Sequence, residues 1–271
     1  MNPKLVIFTD LDGTLLDHQT YSYEEALPAV TDLKQRDIPI VFCSSKTRSE
    51  QEVYCQELGL SDPFIVENGG AIFIRQGYFP FSFDFDKAED GYQIIELGIP
   101  YQEIRWVLKR IRSEIGLKFK GFGDMSAREV AKYTGLTADA ARLAKKRAYG
   151  ETLELDGSPA EIEGVLRAVK EAGLNYSFGG QCCDITGPNN KGRAVTILTE
   201  LFCRKLGQVM TIALGDSPND LSMLSVVDVP ILVQKPDGVW QETDLRNLHR
   251  IEGIGPAGWA KAISEILPVY N

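Results

Sequence analysis

Pairs of carboxylates follow two of the apolar runs in this chain, and they are the groups best suited to chemistry. Asp10 and Asp12 come directly after one run, and Asp216 and Asp220 come after another. Carboxylates two residues apart on an extended segment point the same way, and close carboxylates repel, so each pair needs a cation or a shared proton. A hard divalent ion with oxygen ligands meets that need, and Mg²⁺ suits phosphate substrates. Helix capping is the alternative for Asp220, which lies near a predicted helix start.

Two further segments carry groups that suit phosphate oxygens. Ser44 and Ser45 end another apolar run, where a hydroxyl and backbone N–H groups can hold an anion, although an ordinary turn is the alternative. Lys191 opens a predicted helix, and a lysine at a helix N-terminus opposes the helix dipole. A surface lysine gains nothing at that position, so its placement favours a bound anion.

Apolar runs that alternate with amphipathic helices surround these segments. The runs at 5–9, 38–43 and 64–67 alternate with helices at 23–36 and 48–58, which predicts βαβ units and a parallel sheet. Ligands bind at the carboxyl ends of the strands in open parallel sheets. We therefore expect the acidic and serine segments to meet at one edge of the sheet.

The middle of the chain has a different pattern. Its short strands are more polar at alternate positions, which suits a sheet with one face open to a cleft or to water. We predict a discontinuous α/β core, residues 1–84 and 187–271, with an inserted α+β domain at residues 85–186. The other predicted helices lie at 101–115, 126–134, 137–147, 158–172, 191–206, 219–226 and 259–267. The other predicted strands lie at 118–121, 152–155, 176–178, 182–186, 209–214 and 229–233, and the runs at 71–74 and 78–83 predict a hairpin.

Composition excludes several classes of function. With 29 Lys+Arg against 38 Asp+Glu, the net charge is −9, so we expect no nucleic-acid partner. No stretch approaches about 18 apolar residues, so we expect no membrane-spanning helix. Five cysteines without a disulfide pattern fit a reducing cytoplasm. The GxGxxG at 253–258 follows a polar stretch and contains a proline, which predicts a loop before the last helix instead of a nucleotide site.

Taken in chain order, the Asp pair, serine, lysine and second Asp pair resemble the four motifs of the haloacid dehalogenase (HAD) superfamily of phosphohydrolases. The resemblance implies a HAD-like Rossmannoid core with a type 2 (C2B) cap domain that closes over the substrate. It implies that Asp10 is the nucleophile, forming an aspartyl-phosphate, and that Asp12 protonates the leaving alkoxide and then activates water. The other implied roles are phosphoryl binding by Ser44 or Ser45, Lys191 and Asn219, and Mg²⁺ binding by Asp10, the Asp12 carbonyl and Asp216, with Asp220 in support.

Three further segments, at 43–48, 67–70 and 120–136, are similar to the mannosyl-3-phosphoglycerate phosphatase family. That resemblance implies hydrolysis of mannosyl- or glucosyl-3-phosphoglycerate, a small molecule with a phosphate, a carboxylate and a sugar. The candidate substrate residues are Lys46, Arg48, Asn68, Arg142, Lys146 and Gln181. The basic clusters at 105–112 and 142–147 supply positive charge, although a solvated helix face is the alternative for each. Ala148 and the Cys182-Cys183 pair depart from the family pattern, so the identity of the sugar stays open.

Other functions compatible with the motifs are a sucrose-phosphate or trehalose-phosphate phosphatase and a phosphosugar mutase. A mutase needs its product to stay bound and to reorient. A more distant alternative is a phospho-aspartate receiver module, which also combines Asp, Ser or Thr and Lys. Receivers carry the phosphorylated aspartate on a central strand and have no inserted domain, whereas Asp10 follows the first strand. The sequence does not predict the oligomeric state.

Overall fold

The computed structural model describes residues 3–116, 119–179 and 182–270, which form two sheets with flanking helices. The strands are β1 (Lys4–Thr9), β2 (Ile40–Cys43), β3 (Phe64–Val66), β4 (Ala71–Arg75), β5 (Lys87–Glu89), β6 (Tyr92–Glu96), β7 (Phe119–Gly121), β8 (Gly150–Leu155), β9 (Asn175–Gly179), β10 (Cys182–Thr186), β11 (Val209–Gly215), β12 (Val229–Gln234) and β13 (His249–Ile254). The helices are α1 (Leu27–Gln35), α2 (Arg48–Leu58), α3 (Tyr101–Ile115), α4 (Ala127–Thr134), α5 (Ala138–Ala144), α6 (Pro159–Glu171), α7 (Lys191–Leu206), α8 (Leu221–Leu224) and α9 (Gly255–Tyr270). Within these ranges, no helix is both long and apolar enough to cross a membrane.

The larger sheet has nine strands in the order β13-β12-β11-β1-β2-β3-β4-β6-β5. The six strands from β13 to β3 run parallel, and β4, β6 and β5 continue the sheet antiparallel. At the end of β1, Thr9 is in register with Leu214 of β11 and with Phe42 of β2. The parallel sheet predicted from the sequence is therefore confirmed, and the segments after β1, β2 and β11 leave it at one edge.

Both faces of this sheet are covered, which explains why its central strands are apolar throughout. Along β1, Leu5 and Ile7 pack into one hydrophobic cluster, whereas Val6 and Phe8 pack into a second cluster on the other face. All four side chains are buried. A strand buried on both faces cannot slip by one residue without exchanging its two sets of neighbours, so the position of Asp10 at its end is well determined.

The smaller sheet belongs to the segment from α3 to β10, which we call the insert. It is antiparallel, with the order β7-β8-β10-β9. Cys183 and Ile185 of β10 pack on one face against a cluster that includes Ile104 of α3 and Val165 of α6. The alternate residue Asp184 therefore points to the opposite face, which looks toward the carboxyl edge of the larger sheet.

Helix capping explains two of the boundaries that place site residues. Thr47 precedes α2 in a capping box, with its backbone N–H 2.9 Å from Glu50 Oε2 and its Oγ1 accepting from the Glu50 backbone N–H. Asn190 caps α7, because its side-chain oxygen accepts from the Arg193 N–H at 2.9 Å. These caps fix the starts of the helices after Lys46 and at Lys191.

The predicted strand at 78–83 is wrong, because that segment does not pair with β4. The partner of β4 is β6, with Ala71 opposite Glu96. The aromatic side chains of the segment pack instead against a helix: the Phe79 ring centroid lies 5.4 Å from that of Phe202 in α7. Aromatic residues favour strands in general, but here the packing of their rings determines the local structure.

The C-terminal region also differs from the sequence prediction. Strand β13 was not predicted, and α9 begins at Gly255, inside the segment expected to be a loop. A Cβ on Gly253, where φ is +132°, would lie 2.7 Å from the Gly258 Cα. The glycines of this segment therefore allow the strand and the helix to approach closely, which is a structural role. Two predicted helices are shorter than expected: α5 ends at Ala144, and a 3₁₀ turn precedes the short α8.

Sheet membership bears on where the core and the insert divide. Strands β5 and β6 come after residue 84, yet they belong to the larger sheet. We therefore propose that the first boundary lies near residue 97 instead of 84/85. The proposed second boundary near residue 187 follows the end of β10.

Helix α9 supports the strand that carries Asp10. The Trp259 side chain is fully buried, and its Nε1–H donates to Thr9 Oγ1 at 2.9 Å. The Thr9 hydroxyl in turn donates to the Asp10 carbonyl at 2.7 Å. The last helix is therefore connected by hydrogen bonds to the end of β1.

We expect Trp259→Phe to lower the free energy of unfolding by about 1–2 kcal/mol, because it removes one buried hydrogen bond and part of a buried ring. Urea unfolding followed by circular dichroism measures this. Trp106→Phe is the control, since Trp106 is 63% exposed and should change stability by less than about 0.5 kcal/mol. Equal effects of the two substitutions would contradict a supporting role for Trp259.

Candidate active site

A buried lysine joins two carboxylates at the edge of the larger sheet. The Lys191 ammonium lies 2.5 Å from Asp10 Oδ1 and 2.6 Å from Asp220 Oδ1. Burial disfavours its positive charge, but the carboxylates of Asp10 and Asp220 outweigh that effect and raise the pKa of Lys191. The lysine is therefore positively charged, as expected for a group that binds phosphate oxygens.

Three aspartates form a compact acidic cluster around this lysine. Ligand oxygens of Asp10, Asp216 and Asp220 all lie within 4.8 Å of one another. Burial, together with the charge of Asp220, raises the pKa of Asp216 to about 7. Burial also raises the pKa of Asp10 well above its ordinary value, although Lys191 opposes the shift. Buried carboxylates that repel one another are stabilised by a cation.

Hydrogen bonds and a glycine fix the geometry of the cluster. Thr14 Oγ1 donates to Asp216 Oδ1 at 3.0 Å. Asp220 Oδ2 accepts from the Asp216 N–H at 3.0 Å and from the Ser217 N–H at 3.1 Å, so this carboxylate shapes the loop after β11. A Cβ on Gly13 would lie 2.9 Å from Asp216 Oδ2, and the φ of Gly13 is +80°, so glycine is required there.

The donor set of this cluster fits a hard divalent cation. Its groups are carboxylates, the ligands that Mg²⁺ and similar ions prefer. Asp10 directly follows β1, and Asp216 directly follows β11. Both oxygens of Asp220 are already engaged, Oδ1 by Lys191 and Oδ2 by two backbone N–H groups, whereas Lys191 contacts only Oδ1 of Asp10. Asp10 and Asp216 are therefore the better candidates for direct ligands, with Asp220 in support.

The Asp12 side chain stands apart from the acidic cluster. It is 34% exposed, and Lys46 Nζ lies 2.9 Å from its Oδ1. Lys46 is itself buried, 3.6 Å from Glu50 Oε1 and 4.9 Å from the centre of the Tyr21 ring. Burial would lower the pKa of Lys46, but the carboxylates of Asp12 and Glu50 raise it, so the lysine stays charged beside Asp12.

The two serines after β2 occupy different environments. Ser44 is fully buried, and its Oγ accepts from the Lys46 N–H at 3.3 Å. Ser45 lines the cavity described below. Asn219 also lines it, and its Nδ2 donates to Asn68 Oδ1 at 3.1 Å. Of the two serines, Ser45 is the one on the cavity wall.

A cavity of about 120 Å³ separates the edge of the larger sheet from the insert. The core contributes Asp10, Asp12, Ser45 and Lys46 to its wall, together with His18, Tyr21, Glu50, Ser217 and Asn219. The insert contributes Phe122, Tyr133, Arg147, Thr152, Cys182 and Asp184, among others. Acidic, basic and aromatic groups from both parts of the molecule therefore enclose one space.

The insert places a buried ion pair in this cavity. Arg147 is 5% exposed, and its Nη2 lies 3.2 Å from Asp184 Oδ1. Asp184 also accepts from Thr152 Oγ1 at 2.6 Å and from Asn68 Nδ2 at 3.1 Å. Both terminal nitrogens of Arg147 lie 3.4 Å from the Ser45 carbonyl oxygen, so the pair connects the insert to the loop after β2.

Several predicted substrate residues lie elsewhere. Arg142 is 63% exposed beside Asp139, and Lys146 is exposed outside the cavity. Arg48 pairs with Glu52 and Asp90 at 2.9 and 3.1 Å, away from the cavity. Gln181 lies outside the described residues.

Two of the predicted substrate residues do contribute near the site. Lys46 lines the cavity, and Asn68 bridges Asp184 and Asn219. From the sequence, Arg147 was predicted only as one of the basic cluster at 142–147, and Asp184 and Thr152 were not predicted as site residues. A signal was present, because Thr152 and Asp184 occupy polar positions in strands whose other face is apolar.

The basic cluster at 105–112 has a structural role. Arg105 lies 2.9 Å from Glu151 Oε2 and 2.5 Å from Asp124 Oδ1, and Arg112 lies 2.5 Å from Asp124 Oδ2. Burial opposes the charge of Asp124, but the two arginines hold its pKa below its ordinary value. These ion pairs join α3 to the smaller sheet.

A second buried carboxylate connects the core to the insert. Glu67, just after β3, accepts from the backbone N–H groups of Ala148 and Tyr149, each at 2.9 Å, directly before β8. Burial raises the pKa of Glu67 to about 6, although Arg147 and the backbone N–H groups oppose the shift. Glu67 therefore holds the chain where it enters the smaller sheet.

Comparison with known proteins agrees with this geometry. The family of haloacid dehalogenase-like hydrolases matches residues 7–236. The chain is 49% identical over 269 residues to the glucosyl-3-phosphoglycerate/mannosyl-3-phosphoglycerate phosphatase of Methanococcoides burtonii, covering 99% of each chain. It is 40% identical over 228 residues to the mannosyl-3-phosphoglycerate phosphatase of Pyrococcus furiosus, covering 84% of this chain and 90% of that one. A solved HAD subclass IIB sugar phosphatase has a TM-score of 0.64 at 17% identity, covering 97% of this chain and 98% of that one.

The chain therefore belongs to the haloacid dehalogenase-like hydrolases and, within them, to the phosphatase family of these two relatives. This confirms the resemblance indicated by the motifs. The structural similarity confirms the predicted fold class, a HAD-like α/β core with an inserted α+β domain.

Glu67 gives a pH-dependent prediction for stability. Its folded-state pKa of about 6 lies above the ordinary value of 4.5, so the folded protein binds this proton more tightly. The contribution of Glu67 to the free energy of unfolding is fully present below pH 4.5. It is lost as the pH rises through about 6, which lowers the free energy of unfolding by about 2 kcal/mol. Glu67→Gln removes this titration. The free energy of unfolding of the variant minus that of wild type should therefore increase by about 2 kcal/mol from pH 4.5 to pH 7.

Urea unfolding across this pH range, with EDTA present, measures the difference. Asp10 and Asp216 titrate in both proteins, so their contributions cancel. Glu163→Gln is the control, because Glu163 is exposed and should leave the pH dependence unchanged. A parallel pH dependence of Glu67→Gln and wild type would show that Glu67 does not titrate as described.

Proposed function

We propose that this protein is a Mg²⁺-dependent phosphatase that hydrolyses glucosyl- or mannosyl-3-phosphoglycerate to the glycosylglycerate and phosphate. The observation that carries the proposal is the acidic cluster with its buried lysine, of which Asp10 lines the cavity between the core and the insert. The chain is 49% identical over its length to a phosphatase of that name. The substrate carries a phosphate and a carboxylate, and the cavity wall includes the charged side chains Lys46 and Arg147.

In the first step, an Asp10 oxygen attacks phosphorus and the bond from phosphorus to the glycerate oxygen breaks, which leaves an aspartyl-phosphate. This step requires an ionised Asp10, although burial raises the pKa of that group. The Lys191 ammonium, 2.5 Å away, favours the ionised form. Lys191 would also bind the phosphoryl oxygens, together with Ser44 or Ser45 and Asn219.

Asp12 is suited to the proton transfers. Its side chain faces the cavity and is not part of the acidic cluster. It would give a proton to the departing glycerate oxygen and then take one from the water that attacks the aspartyl-phosphate, which regenerates Asp10 and releases phosphate. Asp12 therefore starts the cycle protonated, is a carboxylate after the first transfer and regains its proton in the second, and Lys46 at 2.9 Å keeps its side chain in place.

When it is bound, Mg²⁺ neutralises part of the negative charge on the phosphoryl oxygens. Asp10, Asp216 and the backbone carbonyl of Asp12 would hold it, and Asp220 would orient the loop that carries Asp216. Arg105 and Arg112 are engaged in structural ion pairs. We therefore expect residues of the cavity wall to bind the glycerate part of the substrate.

We place the reaction in the cytoplasm. All five cysteines are unpaired, which suits a reducing compartment. The proposed partner is the small-molecule substrate.

The direct test is phosphate release by the Mg²⁺-loaded protein from a panel of substrates: mannosyl-3-phosphoglycerate, glucosyl-3-phosphoglycerate, sucrose-6-phosphate and 3-phosphoglycerate. We expect a strong preference for the first two. Asp10→Asn should lower kcat by at least about 1,000-fold, and Asp12→Asn by about 100- to 10,000-fold. Asp139→Asn, at an exposed position, is the control. Turnover that survives Asp10→Asn would overturn the nucleophile, and preference for another sugar phosphate would overturn the substrate.

The metal site gives a prediction that is independent of turnover. At pH 7, saturating Mg²⁺ at about 100 times its dissociation constant should stabilise the EDTA-treated protein by about 2.7 kcal/mol. Asp216→Asn should abolish most of this gain, because it removes a proposed ligand and one of the charges that repel Asp10. Thermal unfolding with and without Mg²⁺ measures it. An undiminished gain in Asp216→Asn would place the metal elsewhere.

A further inference from the structure

The proposed substrate carries two anionic groups close together, and the cavity must bind both. In a 3-phosphoglycerate unit, one carbon lies between the carboxylate carbon and the carbon that carries the phosphate oxygen. The carboxylate carbon and phosphorus are therefore at most about 5 Å apart. A group that binds the carboxylate must consequently lie next to the loop that binds the phosphate.

The candidates are the lysine and the arginine of the described cavity wall, Lys46 and Arg147. Lys46 already lies 2.9 Å from Asp12 and 3.6 Å from Glu50, so two carboxylates balance its single charge. Its contact with Asp12 also serves the proposed proton transfers. We therefore assign Lys46 to Asp12 and not to the carboxylate of the substrate.

Arg147 has an N–H group available to bind a ligand. Its one ion pair among the described residues is with Asp184, at 3.2 Å, and Asp184 divides its oxygens among Arg147, Thr152 and Asn68. The carboxylates of Glu67 and Glu50 act on the Arg147 charge from farther away. The Arg147 Nε is buried and has no hydrogen-bond partner among the described residues. A buried N–H without an acceptor is unfavourable, and an acceptor on a ligand relieves it. The planar guanidinium also matches a carboxylate better than an ammonium does.

The position of Arg147 meets the distance requirement. Its Nη1 and Nη2 both lie 3.4 Å from the carbonyl oxygen of Ser45, the residue after β2 that lines the cavity. Arg142 and Lys146, from the same basic cluster, are exposed outside the cavity. Arg147 is thus the member of that cluster beside the proposed phosphate loop.

We propose that Arg147 binds the carboxylate of the glycerate part of the substrate, and that Asp184 is a positioning residue that holds the guanidinium toward the phosphate loop. This inference rests on the proposed function. It assigns selectivity for a phosphoglycerate over a simple sugar phosphate to one residue of the insert.

The test compares two substrates: glucosyl-3-phosphoglycerate and its primary carboxamide, in which the negative charge is absent. We expect wild type to prefer the carboxylate by about 100-fold in kcat/KM. Arg147→Gln should lose most of this preference, mainly through a higher KM for the carboxylate, and change kcat/KM for the carboxamide by less than about 3-fold. Arg147→Lys should retain part of the preference. Asp184→Asn should lower it by about 10-fold.

Arg142→Gln is the matched control, because it removes a positive charge from the same cluster but outside the cavity. It should leave both substrates unaffected. An equal loss of activity on both substrates in Arg147→Gln would overturn the proposal and assign Arg147 a purely structural role.

A measurement on wild type alone keeps the inference testable if Arg147→Gln does not fold. 3-Phosphoglycerate should inhibit competitively at a concentration at least about 10-fold lower than glycerol 3-phosphate, which lacks the carboxylate. Equal inhibition would overturn carboxylate binding. If wild type hydrolyses the carboxylate and the carboxamide equally well, this inference fails while the proposed function stands. If it hydrolyses neither but acts on another sugar phosphate, the proposed function itself fails.

Discussion

Burial of like charges at the ends of two neighbouring strands, β1 and β11, is the constraint on which the rest of the site depends. Ligand oxygens of Asp10, Asp216 and Asp220 lie within 4.8 Å of one another, and burial together with the neighbouring carboxylates raises the pKa values of Asp10 and Asp216. Lys191 offsets part of this repulsion, and it does so from the first turn of a helix, where the dipole is unfavourable for it. The core thus gives up folding stability to hold these acidic groups together.

The surrounding fold makes this arrangement possible. Strands β1 and β11 are buried on both faces and paired in register, so their ends cannot move apart. Glycine at position 13 allows the backbone to pass within contact distance of the Asp216 carboxylate. Trp259 of the last helix supports the end of β1 through Thr9, although that helix lies outside the matched family segment, residues 7–236. The C-terminal segment therefore belongs to the architecture of the site.

The sequence predicted the core half of the site better than the insert half, for a physical reason. Asp10, Ser45 and Asp216 each follow an apolar strand, so strand order alone brings them together. Helices α2 and α7 were predicted with their observed bounds because Thr47 and Asn190 are strong local caps. Arg147 and Asp184 meet only through the packing of α5, β8 and β10, and no local pattern separates Arg147 from its exposed neighbours. The strand predicted at 78–83 failed similarly, since aromatic packing against α7 outweighed strand propensity.

The same packing suggests how recognition and chemistry are coupled. Arg147 contacts the Ser45 carbonyl, Thr47 Oγ1 donates to the Leu143 carbonyl at 3.1 Å, and Tyr21 donates to the Thr134 carbonyl at 3.1 Å. These contacts join the core to the insert. The contacts of Lys191 with Asp10 and Asp220, in contrast, lie wholly within the core. Moving the insert away would therefore remove Arg147 from the phosphate loop and leave the acidic cluster intact. Selectivity for the glycerate carboxylate then exists only while the cavity is closed, because the group that binds it arrives with the insert.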